Sequence, residues 1–245
     1  MVEHRQEFQR ELEAIEAKVT GLFTMVAEDL PRATFALLSG SDEGLGVLVE
    51  REQVIDALYR EIDKLSSREI LLQAPVASDL RFLLSVVRVV PELERSHDLV
   101  VQIASRAGHD VGEELSPGGR RLVEQMGDLA WRMWRQAGDS WRHRDRSVAL
   151  ALGERHGQMT ELHASLIAEL ASGQVTLPVA MEMTLVARCY QRLSDHAVNL
   201  ARRVIDLRGS PESVDTLIWL IVPVRASRLL PYSAGAQVLS REERP

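Results

Sequence analysis

Cysteine is almost absent from this 245-residue chain: Cys189 is the only one. A lone thiol excludes an intramolecular disulfide framework, and the expectation is a reducing, cytoplasmic setting. Lysine is nearly as scarce, with Lys18 and Lys64 alone among cations that are otherwise arginine. Base composition of the genome accounts for that bias. No apolar run approaches the roughly 18 residues that a bilayer-spanning helix needs, so contact with a membrane is peripheral at most. The first residues, MVEHRQEFQRELEAIEAK, are charged and periodic and lack the apolar core of a signal peptide. Aromatic residues make up only 4%, which calls for a mostly aliphatic core. The net charge is −7, and the sequence shows no basic stripe, so nucleic acid is not an expected partner. Also missing are a Ser-His-Asp arrangement, a phosphate-cradling glycine loop and a CxxC pair. Without a nucleophile or a nucleotide site, the reading is a non-enzyme with no organic cofactor.

What the chain does contain is helical periodicity. Phe8, Leu12, Ile15, Val19, Leu22, Val26 and Leu30 recur at spacings of four and three, one apolar stripe along a helix that Gly40 should stop. A second stripe carries Val47, Val54, Leu58, Ile62 and Leu65. A third begins near Pro75, carries Leu80, Leu84, Val87, Val101 and Ile103, and should stop at Gly108. The turn-rich stretch GHDVGEELSPGGR then reads as a linker, with Ser116 as N-cap and Pro117 in the first helical position. Further helices are expected over about 118–143, 146–172 and 176–208, with stops at Ser172-Gly173 and Gly209. Strand signals are lacking. The fold class is all-α.

The two halves echo each other. A shift of 97 residues lays Arg95 on Arg192, Asp98 on Asp195 and Val101 on Val198; a shift of 104 lays Glu50-Arg51 on Glu154-Arg155. The pattern implies a tandem duplication of a three-helix bundle, residues 1–110 and 117–209, six long helices in all. Residues 210–245 have no counterpart and form a C-terminal tail. Its segment LIWLIVPV, followed by Arg225 and Arg228, suits a membrane surface, a partner, or the bundle itself.

Chemistry concentrates in acids. Glu94 and Asp98 stand four residues apart on one helix face, and Glu52 and Asp56 repeat that spacing on the preceding helix. Carboxylates so placed repel unless something offsets them. A hard cation held by oxygen ligands would do so, with Asp79 as another candidate ligand; a solvated acidic face is the alternative. Glu94-Arg-Ser-His97 also spells the E-x-x-H element of di-iron bundles. Those need a second copy, and the counterpart of His97 is Ser194, so an oxidoreductase or metal-storage role is the runner-up. His97 is a polar flank or accessory ligand, and His196 a satisfied, partly buried side chain. Trp131, Trp134 and Trp141 share a face and read as core, as does Cys189. Pro91 lies within the third helix, where it removes a backbone hydrogen bond.

QAPVASDLR (Gln73 to Arg81), LERSHD (Leu93 to Asp98) and QRLSDHAVNLA (Gln191 to Ala201) resemble the hallmarks of the PhoU family, over about residues 5–209. The resemblance implies a negative regulator of inorganic-phosphate uptake and phosphate-starvation signalling, with metal held by E-x-x-x-D carboxylates. Its implied partners are the ATPase subunit of a phosphate ABC transporter and a sensor histidine kinase, and the implied state is a homodimer. Carried over, the motif falls on Glu94 and Asp98, with Glu52 and Asp56 opposite. In the second half Asp195 is kept, Gln191 stands where the family has Glu, and His156 and Thr160 replace the opposing acids. The expectation is therefore asymmetric. A divalent or ferric ion (iron, zinc and magnesium are not distinguished) belongs in the first half, and a weak site or none in the second.

Overall fold

The computed structural model describes residues 2–107 and 111–207. Six helices form: α1 (Val2–Ser39), α2 (Asp42–Gln73), α3 (Ala77–Ala104), α4 (Pro117–His143), α5 (Arg146–Ala171) and α6 (Leu177–Leu207). Among the described residues there is no strand. The expected stop at Gly108 and the LIWLIVPV tail lie outside the described residues.

Local chemistry sets the helix ends. Gly40 follows α1 with φ 66°, a left-handed conformation that glycine adopts without a Cβ penalty. Ser116 caps α4 as expected: its Oγ accepts from the Gly119 N–H at 2.9 Å while Pro117 opens the helix. Asp145 does the same for α5 through the Ser147 N–H at 2.8 Å. Pro31 and Pro91 sit inside α1 and α3 and neither breaks its helix.

Every residue of the expected α1 stripe is buried. In α2, Ile62 is buried as expected, but the first turns are displaced by one residue: Leu48 and Ile55 fill the core in place of the exposed Val47 and Val54, and Leu58 and Leu65 are only half-buried. Two aliphatic rows run side by side on this helix, so periodicity alone does not choose between them; packing against α1 does. In α3, Ile103 is buried as expected, but Leu80, Leu84, Val87 and Val101 are half-buried and Leu83, Val86, Val90, Leu93 and Val100 take the interior. The reason is that α3 packs against α1, α2 and α6, and a helix with three neighbours buries a wider arc. Trp134 and Trp141 lie in the core against Phe23, while Trp131 is half-buried under the Arg135 guanidinium.

The three-helix groups α1–α3 and α4–α6 share one core, α1 lying against α4 and α3 against α6. The close approach of α1 to α4 depends on Gly127. A Cβ there would stand 2.4 Å from Thr34 Oγ1 and 3.1 Å from Thr34 Cβ. Thr34 has no freedom to withdraw, because its hydroxyl is bonded to the Leu30 carbonyl at 2.9 Å and to the Tyr190 hydroxyl at 2.8 Å. Gly127→Ala should therefore lower the urea midpoint, with a cost of about 1–3 kcal/mol from overpacking. Adding Thr34→Ala should recover part of it. A Gly127→Ala chain as stable as the parent would contradict the contact.

Candidate functional site

Helices α2 and α3 form an antiparallel hairpin, and their facing turns bring the four expected carboxylates together. Burial pushes the Glu94 carboxyl above its ordinary value, and repulsion from Asp98, Asp56 and Glu52 adds to the shift, against Arg95. Asp98 is likewise raised, by burial first and by Asp56; nearby His97 and a hydrogen bond shared with Glu52 oppose the shift. Asp79, in the first turn of α3, stands about 22 Å from Glu94 along the helix axis and does not share this cluster.

His97 points away from its neighbour Asp98 and into the core. Its Nε2 lies 3.2 Å from Asp29 Oδ2, both side chains being fully buried. Arg32 reaches the same carboxylate at 3.2 Å and Arg51 at 3.6 Å. Asp29 is the residue that sequence reading missed. The signal was present: Ile15, Leu22, Asp29 and Ala36 fall at seven-residue intervals, so an acid occupies the core seam itself.

The second half is built differently. His156 Nδ1 lies 2.9 Å from Ser194 Oγ and 3.4 Å from Asp195 Oδ1. Burial raises the Asp195 carboxyl, offset by His156 and Arg192. Thr160 turns its hydroxyl back to the His156 carbonyl, and the Gln191 carbonyl accepts from Ser194. One carboxylate and one imidazole thus stand where the first half has four carboxylates. His196 is satisfied as expected, its Nδ1 at 2.9 Å from Ser96 Oγ across the α3–α6 seam. Burial, with Arg192 and Arg95 beside it, lowers its pKa to about 4, so the ring is neutral near pH 7. Cys189 is buried, and burial raises its thiol.

A PhoU-domain model matches residues 19–107 and 123–204, one copy on each half. The chain belongs to the PhoU family. It is 30% identical over 211 residues to the phosphate-specific transport system accessory protein PhoU homolog of Pseudomonas putida, covering 84% of this chain and 82% of that one. PhoU homolog 2 of Mycobacterium tuberculosis is 29% identical over 215 residues, covering 82% and 96%. The crystal structure of PhoU from Pseudomonas aeruginosa superposes with a TM-score of 0.76 at 27% identity, over 83% of this chain and 100% of that one. The six-helix fold is the PhoU fold.

The donor chemistry of the first half fits the hard cation that the family resemblance implies: four carboxylates, two of them with carboxyls raised by burial and by neighbouring acids. They are neighbours rather than a closed cage. Among the described residues, no three His, Cys, Asp or Glu side chains converge tightly enough to ligate one ion as they stand.

Raised carboxyls carry a definite pH signature. Glu94 and Asp98 bind protons more readily folded than unfolded, so they favour the fold fully below their unfolded pKa values, and that contribution is lost as pH rises through the raised folded values. Glu94→Gln with Asp98→Asn should therefore raise metal-free stability at neutral pH and flatten its decline above the unfolded carboxyl range. Denaturation at a series of pH values with a chelator present checks this; a double variant less stable than the parent at neutral pH would refute it.

Proposed function

We propose that this PhoU-family chain is a negative regulator of inorganic-phosphate uptake and phosphate-starvation signalling. The observation that carries the reading is the double family match: both copies of the domain are present, in order, with relatives named as accessory proteins of the phosphate-specific transport system. The protein would act in the cytoplasm by binding, without catalysis, with the ATPase subunit of a phosphate ABC transporter and a sensor histidine kinase as its partners. No helix among the described residues is long and apolar enough to cross a membrane. Deleting the gene and following a phosphate-starvation reporter in abundant phosphate tests the reading. The reporter should come on; silence in a strain that also lacks any paralogue would sink it.

The acidic face supports a second element of the proposal. Glu52, Asp56, Glu94 and Asp98 would hold a divalent or ferric ion whose charge offsets their mutual repulsion, after side-chain rotation closes the set. The Asp195–His156 pair, with Gln191 in place of a carboxylate, would hold one weakly or not at all. Elemental analysis after dialysis against iron, zinc or magnesium should show metal lost on Asp98→Asn and unchanged on Asp195→Asn. Equal loss in both variants, or no metal in the parent, would remove this element while leaving the regulatory reading to the reporter.

A further inference from the structure

Among the described residues, nothing covers the outer face of α6 along most of its length. At 100° per residue, Leu177, Met181, Thr184, Leu185, Arg188, Arg192, Asp195, Asn199 and Arg202 fall within an arc of roughly 100°. All nine are exposed. The arc runs for about 37 Å along the helix. Its composition changes along the axis rather than around it. The first turns carry large apolar side chains, with Leu177 73%, Met181 62% and Leu185 46% exposed. Arginines follow. The ion pairs flanking this face are Arg106–Glu182, Arg203–Glu92 and His156–Asp195. These leave Arg188 and Arg192 with no carboxylate at ion-pair distance among the described residues. Asp195 is the one acid on the arc between residues 177 and 202, set between His156 and Arg192, and it stands against the three guanidiniums of Arg188, Arg192 and Arg202. An acidic protein therefore presents a ridge whose local charge is positive.

We propose that this ridge of α6 is a docking surface for an anionic lipid membrane. The chemistry suits an anionic interface: leucine and methionine at one end of the ridge can enter the boundary between headgroups and acyl chains, while the guanidiniums further along it meet lipid phosphates. Shape favours a lipid layer over a partner helix. Clefts suited to a helix are found on other faces, along the α1–α4 seam between Thr34, Phe35 and Gly127 and on the α4–α5 face beside Leu129 and Leu162. The α6 arc is the outward side of one helix, which a deformable layer can follow. This inference stands apart from the phosphate reading and from the carboxylate face of the first half.

Flotation of the full chain with vesicles tests it. Vesicles containing phosphatidylglycerol should carry the protein upward at low salt and release it at high salt, while pure phosphatidylcholine vesicles should carry little. Arg188→Glu with Arg192→Glu, and separately Leu177→Ser with Met181→Ser, should each weaken partition by about tenfold or more. All four side chains are exposed, so circular dichroism and melting should match the parent and keep a loss of binding interpretable. No binding to anionic vesicles overturns the proposal. So does binding that both double variants leave intact, which would assign it to residues 210–245. A parent that is dimeric and does not float, with Leu177→Ser/Met181→Ser turning it monomeric, overturns it in favour of a second copy of the chain on this face.

Discussion

The close contact of α1 with α4 is the constraint on which the remaining architecture depends. Gly127 leaves room for Thr34, and the Thr34 hydroxyl then reaches Tyr190 on α6. Burial pushes the Tyr190 phenol well above its ordinary range, so it stays a neutral hydroxyl able to share this bond. Together with the Trp134 indole, which donates to the Leu193 carbonyl at 3.1 Å, it fixes α6 against both halves. Once α1 meets α4 and α3 meets α6, the two repeats close one shared core between them. Helices α2 and α5 are left outermost, and the α2–α3 and α5–α6 faces turn outward. Accessible carboxylates on the first of these faces are a consequence of how the repeats pair.

A buried charge holds the first face in place. Asp29 lies within the core of α1, and a lone carboxylate there would cost several kcal/mol. His97, Arg51 and Arg32 surround it from three directions. The arrangement gives α3 a definite rotation: with His97 turned inward to Asp29, the adjacent Asp98 must turn outward toward Glu52 and Asp56. The E-x-x-H spelling of Glu94 and His97 is thus divided between two environments, carboxylate outside and imidazole inside. Such a division works against the shared inward ligation that an oxidoreductase bundle requires.

Much of this was legible in the sequence. Helix ends were readable because Gly40, Ser116 and Pro117 carry backbone preferences that need no tertiary context. The α1 stripe was readable because only one row on that helix is continuously apolar. The core rows of α2 and α3 were not, since Val47 beside Leu48 and Val54 beside Ile55 offer two phases of equal hydrophobicity, and the choice belongs to the neighbouring helix. The four carboxylates were found by spacing alone. Asp29 escaped because an acid among Ala27, Glu28 and Arg32 looks like a solvated position until its seven-residue register is followed. The basic ridge escaped for another reason. Arg188 and Arg192 are unremarkable in a chain rich in arginine, and only the fold shows that they share an outward arc carrying a single acid.

The two repeats have kept one backbone plan and exchanged the chemistry of their outward faces. Glu52 and Glu94 correspond to His156 and Gln191, Asp56 to Thr160, and Asp98 alone has an identical counterpart, Asp195. None of these positions lies in the shared core, so each change is close to free in packing terms, and stability placed little restraint on it. The repulsion that weighs on the first face is absent from the second, where Asp195 has an imidazole partner. What the second face gained is a local positive balance, and with it an outer helix able to approach a negatively charged surface. A face of four carboxylates on one repeat and a face of arginines beside a single acid on the other give the molecule two chemically distinct surfaces, which a pair of identical repeats would lack.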